Sequence, residues 1–160
     1  MTGAGDAPAH AETSGVPFPP PLIHLAAIGV GLVAERLAPG PALPDSARWL
    51  GAVVFLGALA LFALAARELR RARTPIRVER PSTSLVSGGP YRRSRNPIYL
   101  ALAGAQLGLG LALGSLWTVG LTPLAMALMT GVVIQREERY LGSRFGRSYA
   151  DYRARVRRWL

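Results

Sequence analysis

Residues 49–66 read WLGAVVFLGALALFALAA, and residues 67–73 read RELRRAR. The first stretch carries no charge and is long enough as a helix to cross most of the roughly 30 Å hydrocarbon core of a bilayer. Trp49 stands at its start, where an indole suits the membrane interface. The arginines begin as soon as the apolar run stops. That boundary reads as a membrane helix emerging onto the cytoplasmic face, because short cytoplasmic segments are enriched in Arg and Lys.

Working outward, residues 1–21 are rich in Gly, Ala, Pro and Ser and predict a flexible N-terminal tail without the basic and apolar regions of a signal peptide. A first membrane helix is predicted from Leu22 to Leu37, followed by a Pro-rich external loop, and the run at 49–66 is the second. Residues 67–96 form an Arg-rich cytoplasmic connector. Pro97 opens a third helix reaching Leu113, with Asn96 as its predicted N-cap. Gly104, Gly108, Gly110 and Gly114 supply small-xxx-small spacing for close helix approach. The short turn LGSLW at 113–117 makes the third helix and a fourth, Leu116–Ile134, an antiparallel hairpin, and Pro123 is expected to kink the fourth. Residues 135–160 form a charged cytoplasmic helical segment. The fold expected is therefore an all-α integral membrane protein with about four transmembrane helices.

The 160 residues carry a formal net charge of +10, and all 19 basic residues are arginine. Seventeen of them lie in the 67–96 connector and the C-terminal segment, leaving Arg36 and Arg48 near the outer loop. This distribution places a multi-pass protein in the cell (inner) membrane with both termini cytoplasmic. It also explains the basic charge without nucleic-acid binding. The chain has no cysteine and only two histidines, His10 and His24, so disulfides, thiolate chemistry and a His-based metal site are not expected. Oligomeric state is not legible.

Polar chemistry gathers in two segments, LVSGGPYRRSRNPIYL at 85–100 and QREERYLGSRFGRSYADY at 135–152. The first enters a membrane helix and the second leaves one, so the hairpin brings them to one cytoplasmic-facing site. Gly88-Gly89-Pro90 predicts a tight turn with accessible backbone N–H groups. Two adjacent acids, Glu137 and Glu138, beside a membrane span need a cationic partner, with Arg92, Arg93 and Arg95 as candidates. Two acids at a helix C-terminus are unfavourable, so that helix is expected to continue and project into the cytoplasm. In DYRARVRRWL, Tyr152, Val156 and Trp159 recur at helical spacing among arginines, as in a basic amphipathic helix lying on an anionic leaflet, though a short helix packed on the domain fits as well.

At these segments the chain resembles the isoprenylcysteine carboxyl methyltransferase family and its phospholipid N-methyltransferase relatives. The shared pattern is a Gly-Pro-Tyr turn, Arg-His-Pro-x-Tyr opening a helix, a helical hairpin, then Arg-x-x-Glu-Glu and Phe-Gly-x-x-Tyr with a further Tyr. Here it stands as GGPYRRSRNPIYL and REERYLGSRFGRSYADY, within roughly residues 74–157. The resemblance implies S-adenosyl-L-methionine as cofactor. It implies Gly89, Tyr91, Asn96, Pro97, Tyr99, Leu100, Glu137, Glu138 and Tyr149 as cofactor-binding residues and Arg95, Asn96 and Glu138 as catalytic ones. Phe145 and Tyr152 also fall on the second motif. The sequence departs from the pattern where Asn96 replaces His, which removes any acid–base duty at that position, and where Arg136 directly precedes the acidic pair. The acceptor expected is a lipophilic small molecule or lipid from the membrane, carboxylate or amine. The lack of an obvious base favours a nucleophile that is already deprotonated. An NADPH-dependent membrane reductase and a non-enzymatic membrane scaffold are the alternatives.

Overall fold

The computed structural model describes residues 15, 16, 18–75 and 83–160. Among these the secondary structure is entirely helical. Helix α1 spans Pro21–Leu37, α2 Asp45–Arg71, α3 Pro97–Leu113, α4 Leu116–Leu128 and α5 Gln135–Arg155. A 3-10 turn occupies Gly89–Arg92, and a π-helical turn at Met129–Ile134 joins α4 to α5 in one continuous helical path.

Prolines set several starts. Pro21 and Pro97 occupy first-turn positions of α1 and α3, where the missing N–H costs nothing. Gly114 ends α3 in the left-handed region, at φ 74°. Ser115 then caps α4, its Oγ accepting from Thr118 N at 3.2 Å. These two residues make the tight α3–α4 turn. Asn96 differs from its predicted capping role: its side chain makes no cap hydrogen bond.

Helix α3 is the centre of the bundle. It packs along α2 on one side and touches α4 and α1 on the other, while α1 packs mainly on α4. The contacts fall on small residues. A Cβ on Gly51 of α2 would strike the α3 backbone at Ala112 and Gly108, and one on Gly108 would strike the α2 backbone at Phe55 and Gly51. A Cβ on Gly31 of α1 would strike Thr118, and one on Gly110 would meet Val119 N of α4 at 3.0 Å. Between these contacts lies a polar chain. His24 Nδ1 donates to Gln106 Oε1 at 2.7 Å. Gln106 Nε2 donates to the Thr118 carbonyl at 3.2 Å. Both side chains are buried.

The outer surface is apolar. Leu25, Val30 and Val33 of α1 and Trp49, Val53 and Leu56 of α2 are all well exposed, while Gln106, Thr118 and Ser115 are enclosed. In water each such exposed side chain would forgo about 1.5–3 kcal/mol of burial. In lipid the same distribution is favourable, because polar groups pair inside and apolar ones face the acyl chains. Two helical stretches, Asp45–Arg71 and 116–155, are long and apolar enough to cross a membrane. Helices α1 and α3, at 17 residues each, reach about 25 Å.

Two boundaries differ from the sequence reading. Residues 15, 16 and 18–21 belong to the fold rather than to a flexible tail: Val16 is buried against Tyr99, Met129 and Val133. The rest of the predicted tail, residues 1–14 and 17, lies outside the described residues. Helix α2 continues past Ala66 into the predicted connector, to Arg71, since Arg and Glu are good helix formers once clear of lipid. Pro123 lies inside α4, and the ladder widens further on, in the π turn. That wider turn keeps residues four apart on one face. The inward row of Met129 and Val133 thus continues to Glu137 and Leu141.

Candidate active site

A cavity of about 490 Å³ opens at the end of the bundle where α2 ends, α3 begins and α5 emerges. Its size suits a small-molecule ligand. One wall is apolar, with Phe62 and Leu69 of α2, Leu85 and Val86 of the connector, and Leu102 of α3. The opposite wall is polar or aromatic, with Tyr91, Arg95, Asn96, Glu137, Glu138 and Tyr149.

The two adjacent glutamates have different surroundings. Glu138 sits among cations. Arg95 Nη2 approaches its Oε1 at 3.1 Å, Arg158 Nε donates to Oε1 at 3.0 Å, and Arg158 Nη2 donates to Oε2 at 2.8 Å. Burial acts to raise its pKa, but the Arg158 hydrogen bonds and the charges of Arg95, Arg158 and Arg153 outweigh that and hold the carboxyl below its ordinary range. Glu137 has no cation within ion-pair distance among the described residues. It accepts one hydrogen bond, from Tyr99 Oη at 2.8 Å. The apolar part of the helix ends at Ile134, so Glu137 lies just beyond the span. Burial pushes its carboxyl up to about 7, Glu138's charge adds to this, and the Tyr99 hydrogen bond opposes it. The pair therefore contains one fixed anion and one carboxyl that changes charge near neutrality.

Arg95 is almost fully enclosed. Only Nη2 is used by Glu138, and Nε and Nη1 are buried without a partner. A buried guanidinium with two nitrogens left unpaired favours an anion. Burial raises the Tyr91 phenol well above its ordinary value, and raises that of Tyr152 to about 12, so both remain neutral donors. Tyr152 Oη donates to the Tyr91 carbonyl at 2.7 Å, tying α5 to the 3-10 turn.

This tie depends on a break in α5. At Gly146 the backbone takes φ 51° and ψ −122°, open to glycine and strained for other residues. Instead of projecting away, the helix turns there, and Tyr149 and Tyr152 return to the cavity. The helix ends at Arg155, and residues 156–160 are not helical. They double back on the start of α3. Arg95 N donates to the Arg157 carbonyl at 3.0 Å, while Asn96 Nδ2 and Ser94 Oγ donate to the Arg158 carbonyl at 3.0 and 3.2 Å. Trp159 packs against the core around Tyr99 and Ile134. The amphipathic surface helix expected over 151–160 is therefore replaced by a strap, since each of those backbone and side-chain groups has a partner inside the fold.

The structure thus brings Tyr91, Arg95, Asn96, Pro97, Tyr99, Glu137, Glu138 and Tyr149 to one cavity, joined by Tyr152. Gly89 and Leu100 stand outside its lining. Gly89, at φ 54°, backs onto Glu68, where a Cβ would lie 2.7 Å from Cγ. Leu100 faces Val54, Ala58 and Leu61 in the groove between α2 and α3. Phe145 is likewise outside the lining and lies under Arg144. Among the three candidate cations for the acidic pair, Arg95 is used and Arg92 and Arg93 are exposed. Arg158 and Pro19–Pro21 were missed. Nothing in their local sequence marks them, because both reach the site only through long-range folding. Among the described residues no group of three His, Asp or Glu side chains converges to hold a metal.

Residues 46–148 match the phospholipid methyltransferase family. The chain belongs to the phospholipid methyltransferase family. The match runs from the start of α2 through the first polar segment and into the second, just past the break in α5, and stops before Tyr149 and Tyr152. Of the two related families named by the motifs, this is the one shown, at the level of a membrane-associated methyltransferase family. Two apolar helices and this membership together point to a membrane protein. Two curated relatives are similar over 77 residues. A cobalt-zinc-cadmium resistance protein of Cupriavidus metallidurans is 39% identical over 48% of this chain and 35% of its own length. A nickel-cobalt-cadmium resistance protein of Alcaligenes xylosoxydans xylosoxydans is 37% identical over 48% of this chain and 36% of its own length. The chain therefore spans about a third of the curated relatives it matches. No solved structure matches the chain.

Proposed function

We propose that this phospholipid methyltransferase family member transfers a methyl group from S-adenosyl-L-methionine to a lipophilic acceptor, carboxylate or amine, at the cytoplasmic face of the inner membrane. The observation that carries the reading is the charge arrangement in the cavity. Arg95 presents two unpaired N–H groups, and Glu137 presents a carboxyl that ionises near neutrality. A zwitterionic amino-acid moiety needs a cation for its carboxylate and an anion for its ammonium. Arg95 and Glu137, which both line the cavity, supply these. Tyr91, Tyr149 and Tyr152 offer aromatic surface for an adenine ring or a sulfonium.

When bound, S-adenosyl-L-methionine supplies a methyl group on a sulfonium already activated for attack. The residues must then place an acceptor in line and exclude water. The apolar wall of Phe62, Leu69 and Leu102 suits a hydrocarbon acceptor. Phe62 both lines the cavity and is exposed on the outer face of α2, which supports entry from the bilayer. A carboxylate acceptor needs no base. An amine acceptor must lose a proton, and Glu137, with its carboxyl near 7 and held by Tyr99, is the group that would take it. The structure thus offers a base that the sequence did not reveal, and the amine acceptor gains support. The curated relatives are named for metal resistance. In this reading the chain's contribution to any such role would be methyl transfer rather than metal ligation. Four bilayer crossings with both termini cytoplasmic complete the proposal, resting on the arginines gathered at the cavity end.

The test is incubation of detergent-purified full chain with methyl-labelled S-adenosyl-L-methionine and membrane lipid extract. Label should enter the organic phase, and its resistance or loss under base distinguishes an N-methyl product from a methyl ester. Tight binding of NADPH with no affinity for S-adenosylhomocysteine would overturn the reading.

A further inference from the structure

The strap at 156–160 lies outside both polar motifs and beyond the family match, which stops at residue 148. It nevertheless supplies the guanidinium that takes both oxygens of Glu138. Resting on the methyl-transfer reading above, we propose that Arg158 is a positioning residue: by neutralising Glu138, it leaves Nε and Nη1 of Arg95 free, as donors on either side of Nη2, for the carboxylate of the bound methyl donor.

The argument is one of competing partners. A carboxylate presents two oxygens and about four lone-pair sites, and a guanidinium five N–H groups in a planar fork. Buried alone together, Arg95 and Glu138 would satisfy each other best by a two-pronged pair, which would use Nη2 together with Nε or Nη1 of Arg95. In the structure that arrangement is pre-empted. Arg158 makes the two-pronged contact, at 3.0 and 2.8 Å, and Arg95 reaches Glu138 through Nη2 only. The strap is fixed where this requires. Its carbonyls at Arg157 and Arg158 receive Arg95 N, Asn96 Nδ2 and Ser94 Oγ, and Trp159 anchors it in the core. Asn96 thus has a positioning duty of its own. It holds the residue that holds Glu138, a duty that needs a donor and no titratable proton.

The side chains make the prediction specific. Without Arg158, Arg95 should rotate onto Glu138 and spend one of its two free nitrogens there. A ligand with an amino-acid carboxylate should then bind more weakly, and a ligand lacking it should not. The experiment measures binding of S-adenosylhomocysteine and of 5′-methylthioadenosine, which lacks the amino-acid portion, to detergent-purified full chain by calorimetry. In Arg158→Ala the Kd for S-adenosylhomocysteine should rise at least tenfold, while that for 5′-methylthioadenosine stays within twofold. Arg158→Lys keeps a cation beside Glu138 and should retain much of the S-adenosylhomocysteine affinity that Arg158→Ala loses. Equal weakening of both ligands in Arg158→Ala, or no change in either, would overturn the positioning role. So would an Arg158→Lys variant no better than Arg158→Ala. If the wild-type chain binds neither ligand, the methyl-transfer reading itself fails, an outcome visible before any variant is made.

Discussion

Where α2 crosses α3, backbone meets backbone at Gly51 and Gly108, and the polar groups nearby are joined in a chain from His24 through Gln106 to Thr118. At the cavity end of the same helices the side chains are larger, and polar groups are left unspent: Arg95 keeps Nε and Nη1 buried without partners and Glu137 has a single hydrogen bond. The difference assigns separate work to the two regions. The middle is close-packed and mostly satisfied, as stability requires. The end carries uncompensated charge, which costs stability and is tolerated where a ligand completes the pairing.

The largest expected effect comes from removing the unspent charge. Arg95→Ala takes away the unpaired donors and one partner of Glu138, and charge-assisted hydrogen bonds of this kind are worth about 1.5–3 kcal/mol each. Methyl transfer should fall at least about 100-fold, near the 2.7 kcal/mol that such a factor represents. A folded Arg95→Ala variant with full activity would show that the cavity is not the site and would erase the contrast between the two regions.

Next in size is a change in the middle. Gly108→Val forces a branched side chain into the backbone of α2 at Phe55. Overpacking of this type costs about 1–3 kcal/mol and occasionally more, and here no flexible side chain can give way. Thermal unfolding in detergent should shift down by several degrees, while ligand affinity of the surviving folded protein stays within twofold. A stable variant with lost affinity would reverse the assignment of roles.

The sequence reveals these two regions unequally. The glycine spacing of α3 and the lone Gln106 announce the middle, because helix packing in lipid follows local spacing. The cavity is half visible. Arg95, Asn96, Tyr99, Glu137 and Glu138 are marked by their motifs and by the hairpin that unites them. The strap is not, because DYRARVRRWL has a helical periodicity that tertiary contacts override: Trp159 finds the core and Arg158 finds Glu138. The separate fates of Glu137 and Glu138 are equally hidden. Adjacent residues on a helix point about 100° apart, so one meets two arginines and the other a tyrosine. Pro19–Pro21 read as tail because composition carries no information about Val16 finding a buried place beside Tyr99.

Glu137 sharpens the comparison through pH. Whether it holds an ammonium or takes a proton, the working form is the carboxylate. With a pKa of about 7, the initial rate should rise roughly tenfold between pH 6 and pH 8, as the ionised fraction does. Stability should move the other way. This is an acid whose folded pKa is raised above its ordinary 4.5, so its contribution is fully present below that value and drains away as pH climbs through about 7. Glu137→Gln should therefore be inactive yet more heat-stable than wild type at pH 8, by an amount on the order of 2–3 kcal/mol, with little gain at pH 5. Glu138 has the opposite sign, because its pKa is lowered. Its contribution is present above the ordinary carboxylate value and is lost as pH falls through the depressed one. A rate that is flat from pH 6 to 8 would remove Glu137 from the mechanism.

The smallest effect is expected from the polar chain in the middle, and it tests whether that chain is structural. Gln106→Leu keeps similar bulk and removes both of its hydrogen bonds, to His24 Nδ1 and to the Thr118 carbonyl. In a soluble core, orphaning His24 would be costly, because Nε2 already lacks a partner. Hydrogen bonds between helices in lipid are weaker contributors, averaging about 0.6 kcal/mol, since the separated helices also find partners. The loss should therefore be about 1 kcal/mol, seen as a modest fall in thermal midpoint. Affinity for S-adenosylhomocysteine should not change, because Gln106 does not line the cavity. An affinity change beyond twofold in this variant would mean that the two regions are coupled through α3, whose first turn carries Tyr99 and whose middle carries Gln106. The packed centre would then belong to the site's working parts rather than to its foundation.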